Sequence, residues 1–143
     1  MHIFNIIKDH GFSNDLCFLC GEKLTDQNRS NEHVFPKWLQ NEFSLWDEKI
    51  VLLNGTDIPY RDLTIPCCAP CNSGPLSEIE SKMKHAYSEG HESLINLDER
   101  DLFLWLGKIF FGLIYKELFL LADRKNAALG SIFRKEDMEM YAY

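Results

Sequence analysis

Cys17-Phe18-Leu19-Cys20 and Cys68-Ala69-Pro70-Cys71 are two C-x-x-C pairs in one chain. With five cysteines in 143 residues, chance supplies about 0.17 such pairs per chain, so two of them need a cause. Two intervening residues let a tight turn aim both thiolates at one ion, with backbone N–H groups turned toward the sulfurs. Two such knuckles make the tetrahedral sulfur cage that zinc prefers. Gly21, directly after the first pair, suits a knuckle turn. Cys67 competes with Cys68 for one ligand position, and Cys68 is assigned because it keeps the spacing. A closed four-sulfur site has no open position and is structural. Zinc is therefore expected to hold a small core together, with any chemistry elsewhere.

Outward from the cysteines, the chain has the size of one domain with an appendage, and its 45% hydrophobic and 26% charged residues are those of a globular protein. A net charge of -7 excludes a general polyanion binder with a basic face all round. Residues 1–90 hold 8 basic and 13 acidic side chains, and residues 91–143 hold 7 and 9, so neither part is basic. Local cations or a metal ion can still serve a nucleic acid. Residues 1–10 lack the pattern of a signal peptide. Leu102 to Ala122 has the length of a membrane span, yet it carries Lys108, Lys116 and Glu117 and reads as a buried helix with no membrane contact. The default compartment is then a reducing cytoplasm, where clustered cysteines argue for metal over disulfides.

Between the knuckles, Pro36 is placed to start a short helix to Phe43. Ile50 to Leu53 is a short strand, Asn54-Gly55 a tight turn, and Ile58 to Ile65 a second strand that Pro66 ends. Ser73 or Ser77 is expected to cap a helix from Leu76 to about Ser88, which Gly90 breaks. Asp98 is the expected N-cap of a helix reaching about Asp123. Gly130 marks a loop, and Lys135 to Tyr141 a last short helix.

Glu32-His33 lies between the knuckles, and Asn72 directly follows the last cysteine. Glu32 offers an anionic oxygen and Asn72 a carbonyl oxygen, hard ligands suited to Mg²⁺ or Mn²⁺. His33 is expected on the opposite side of the strand from Glu32, where it can take a proton from water. Arg29, Lys37, Arg61 and Lys82 are candidate phosphate contacts, with Trp38 or Tyr60 to stack nearby.

Cys17-x-x-Cys20, Glu32-His33-Val34-Phe35-Pro36-Lys37-Trp38-Leu39 and Cys68-x-x-Cys71-Asn72 together resemble the HNH, or His-Me finger, nuclease superfamily. The pattern is similar to its zinc-bearing branch, which includes resolvases of the endonuclease VII type. The resemblance spans roughly Cys17 to Lys82. It implies an α+β fold: a ββα-metal core on the four-cysteine zinc knuckles, with a C-terminal helical extension. It implies that His33 is the general base and that Glu32 and Asn72 hold the catalytic metal. An acidic residue on the following helix matches Glu80, a further ligand or a water-positioning group. The family's middle asparagine is absent: Leu63 stands there. Asp62 is the nearest polar candidate to support the histidine.

The expected organisation is a nuclease domain over residues 1–90 and a helical extension over 91–143. The expected function is metal-dependent endonucleolytic hydrolysis of phosphodiester bonds, DNA foremost. The alternative is an inactive zinc-stabilised module for nucleic-acid binding or assembly. In the helix from 99 to 123, Leu102, Trp105, Leu106, Ile109, Phe110, Leu113 and Ile114 form one apolar face. Phe103, Phe111, Tyr115 and Phe119 lie off it. The second face is expected to be covered by a symmetric copy, a partner subunit or a missing domain. The rival arrangement folds residues 1–7 and 132–141 back over it.

Overall fold

The computed structural model describes residues 11–141. It is a mixed α+β fold. The first knuckle turns at Gly21 (φ 76°), and the Gly21 N–H donates to the Cys17 carbonyl at 2.9 Å. β1 (Arg29–His33) leads through Pro36 into α1 (Lys37–Glu42). β2 (Lys49–Val51) and β3 (Asp57–Pro59) form a hairpin around Asn54-Gly55.

The expected strand from Ile58 to Ile65 is in fact two. A single 3₁₀ turn, Tyr60–Asp62, separates β3 from β4 (Thr64–Cys68), and the chain changes partner there. β4 pairs antiparallel with β1, with Arg29 opposite Cys68 and His33 opposite Thr64. Pro66 does not end this strand but sits within it. A two-stranded sheet consists only of edges, which tolerate a missing N–H. The Pro66 carbonyl accepts from Phe18 N–H at 2.9 Å and ties the first knuckle to β4.

After β4 the chain runs helically: one turn at Ala69–Cys71, a wide turn at Asn72–Leu76 kinked at Gly74, then α2 (Ser77–Glu89). Neither Ser73 nor Ser77 caps it. The Ser73 hydroxyl donates instead to the Ala69 carbonyl at 2.8 Å. Gly90 stops α2 at φ 104°, and a short α3 (His91–Ile95) follows. Asp98 caps α4 (Glu99–Glu117), accepting from Arg100 N–H at 2.8 Å. α4 ends earlier than its apolar run, because bonds from Phe119 and Leu120 back to Lys116 and Glu117 tighten its last turn. Glu117 turns inward and accepts the Leu53 N–H of the β2–β3 hairpin at 2.9 Å.

One core joins the knuckles, the β1–β4 pair and α4, with Phe18, Val34, Leu63, Ile65, Ile114 and Tyr115 among its members. Gly112 lets α4 come close: a Cβ there would lie 3.1 and 3.2 Å from the Val34 methyls. The buried face of α4 matches the expected one only in part. Trp105 and Ile114 of that face are buried, together with Lys108, Gly112, Tyr115 and Glu117, while Leu102, Leu106 and Phe110 are exposed. The expected face counted apolar residues only, whereas the packed face carries a lysine and a glutamate with buried partners. Among the described residues no helix is long and apolar enough to cross a membrane. Residues 1–7, proposed above as a cover for α4, lie outside the described residues. Lys135–Tyr141 forms a 3₁₀ helix.

Candidate functional site

The sulfurs of Cys17, Cys20, Cys68 and Cys71 all lie within 4.8 Å of one another. Cys20 and Cys68 are 3.8 Å apart, and a tetrahedron with zinc–sulfur arms of about 2.3 Å has edges of about 3.8 Å. The cluster can bind a metal ion and is compatible with zinc. Cys67 is excluded from it. It is fully buried, and its thiol donates to the Cys68 carbonyl at 3.4 Å. Cys67 also faces Cys17 and pulls that thiol down to about 3, while burial raises Cys20 and Cys71.

The knuckles set both ends of a second site. Cys68 ends β4 and so fixes the register of β1, which carries Glu32 and His33; Cys71 delivers Asn72. A cavity of about 360 Å³ is lined by Glu32, His33, Lys37, Trp38, Asn72 and Glu80, among others. Glu32 and His33 both line this cavity, with different neighbours: Glu32 meets Lys108 and His33 meets Trp46. The Asn72 side-chain N–H donates to Ser30 Oγ at 2.7 Å and more weakly to the Asn31 carbonyl. Its amide oxygen accepts no hydrogen bond among the described residues.

His33 is half-buried and stacks on Trp46, with centroids 6.0 Å apart. Burial, then Lys37, hold its pKa below the ordinary value; the Arg61 backbone carbonyl and the Asp62 charge act against them. Asp62 itself is exposed and reaches Arg61 at 3.9 Å.

Glu32 is buried, which pushes its carboxyl upward against the pull of Lys108. Lys108 Nζ lies 2.7 Å from Glu32 Oε1 and 2.9 Å from Glu80 Oε1. Glu80 Oε2 accepts the indole N–H groups of Trp38 and Trp105, each at 2.9 Å. Glu80 Oε2 is thus held by two indoles, while the buried Oε1 faces the Lys108 ammonium without a formed hydrogen bond. Of the four basic candidates, only Lys37 lines the cavity. Arg29 pairs with Asp15, Arg61 with Asp47, and Lys82 with Glu78 and Asp101. Trp38 stacks on Trp105, and Tyr60 packs edge-on against Phe35.

Sequence reasoning missed Lys108 and Trp105. The available signal was one cation placed inside an apolar helix, which must reach either solvent or a buried anion. Compared with family models, curated proteins and solved structures, the chain matches none.

Proposed function

We propose that this chain is a metal-dependent HNH nuclease that hydrolyses phosphodiester bonds, DNA foremost. One observation carries the reading: Glu32, His33 and Asn72 meet at one cavity, on a strand pair followed directly by a helix. That order matches the ββα-metal core the sequence resemblance implies. The four-cysteine cluster, in this reading, holds a structural zinc.

Glu32 and the Asn72 amide oxygen are hard donors at one pocket, and they suit Mg²⁺ or Mn²⁺. When bound, that ion supplies Lewis-acid stabilisation of the leaving oxygen. The chain's own part is the proton. His33, kept neutral by burial, accepts it from the attacking water. The Arg61 carbonyl and Asp62 favour the imidazolium that results. Lys37 stands at the cavity to meet a phosphate. The alternative is an inactive binding or assembly module, favoured by the acidic net charge and by Leu63 at the middle position.

His33→Ala separates the two readings. It is expected to keep the fold, both metals and nucleic-acid binding, and to cut plasmid DNA about 100- to 10,000-fold more slowly. Normal cleavage by this variant overturns the mechanism. A base held below its ordinary pKa of about 6.5 stays competent as pH falls to that value. The wild-type rate should therefore decline only as pH drops further, through the depressed pKa, in a pH–rate profile.

A further inference from the structure

Lys108 stands 76 residues from Glu32 in sequence, on a different element, yet its ammonium is the group closest to the candidate metal ligand. Its side chain is 5% exposed, against 9% for Glu32 and 15% for Glu80. It also donates to the His33 backbone carbonyl at 3.2 Å. An ammonium so far from water persists only between anions. The Glu32 and Glu80 carboxylates and the Lys108 ammonium sum to minus one, which Lys37 at the cavity wall offsets. Glu80 is anchored from behind by two indoles, so Lys108 cannot drift toward it and release Glu32.

We propose that Lys108 is a positioning residue for the nuclease reaction, clamping one Glu32 oxygen and the His33 carbonyl so that the other Glu32 oxygen is left for a divalent cation. The inference rests on the nuclease reading of the same cavity. Glu80 is accordingly part of the clamp, not a metal ligand. Lys108 orders the site but also repels the ion, so its removal has opposite effects on binding and turnover.

The test uses the full-length zinc-loaded chain, with Mn²⁺ as probe, followed by electron paramagnetic resonance and by plasmid cleavage. Lys108→Met is expected to bind Mn²⁺ about tenfold more tightly, having lost a neighbouring like charge. At saturating Mn²⁺ it should cut about 100-fold more slowly, having lost alignment. General loss of structure would weaken both. Unchanged or weaker Mn²⁺ binding by a folded Lys108→Met, or undiminished cleavage, overturns the clamp and leaves the nuclease reading standing. If Lys108→Met does not fold, Glu80→Gln decides: about tenfold weaker Mn²⁺ binding at unchanged stoichiometry supports the clamp, and unchanged affinity overturns it. A wild type that binds Mn²⁺, more tightly still as Lys108→Met, but cuts neither DNA nor RNA overturns the nuclease reading and the positioning role that rests on it, and leaves only the effect of Lys108 on cation binding. A wild type that binds no Mn²⁺ overturns both.

Discussion

Neighbouring cysteines in this chain have different work. Cys68 aims its sulfur into the cluster, while Cys67, one residue earlier on β4, points into the core behind Cys17. Alternation along a strand sends adjacent side chains to opposite faces, so only one of the two can be a ligand. Cys68→Ser should lose the metal and much of the fold, since such sites contribute on the order of 10 kcal/mol in small zinc modules. Cys67→Ser should keep one metal per chain, at a cost of about 1–3 kcal/mol for placing a hydroxyl in the core. Elemental analysis of the two purified variants, with thermal melts alongside, checks both statements. If Cys67→Ser were the metal-free protein, the ligand assignment would be reversed.

Among the elements, α4 shows how two glycines of one helix can differ. Gly107 faces open space, whereas a Cβ on Gly112 would press on Val34 and Ile65. Gly107→Ala should raise stability by about 0.5–1 kcal/mol through helix propensity alone. Gly112→Ala gains the same propensity but overpacks the contact with β1 and β4, at about 1–3 kcal/mol. Its net effect should be a loss, read from denaturant unfolding of both variants. Sequence reasoning reached the cysteine cluster, the hairpin turn at Asn54-Gly55 and the Asp98 cap, because each has a local signal in spacing or side-chain chemistry. It did not reach the break between β3 and β4, since the Tyr60–Asp62 turn holds neither glycine nor proline and the apolar residues on either side read as one strand. Nor did it reach the whole inward face of α4, of which it held Trp105 and Ile114 but not Lys108, Gly112, Tyr115 and Glu117. That face is decided by Lys108 and Glu117 finding Glu32 and the Leu53 N–H, and periodicity does not record such long-range partners.

For the whole molecule, the consequence is an apolar stripe left outside. Phe103 and Phe110 are each more than half exposed, with Leu106 between them, the kind of patch that marks an association surface. Phe111, by contrast, packs on Phe18 and Tyr115. Phe103→Lys should leave the melting temperature unchanged and abolish any self-association seen by light scattering. Phe111→Lys should lower stability by at least about 2 kcal/mol. A wild type that stays strictly monomeric at high concentration would remove self-association as the use of the stripe. The long reach of Lys108 also bears on biosynthesis. A chain emerging from the ribosome N-terminus first can close its sulfur cage and pair β1 with β4 once Asn72 is out. Glu32 then stands without its ammonium until the stretch through Lys108 has been made and α4 has docked. The order of synthesis thus acts as a timer, completing the scaffold early and the clamp on Glu32 only after α4 has been made.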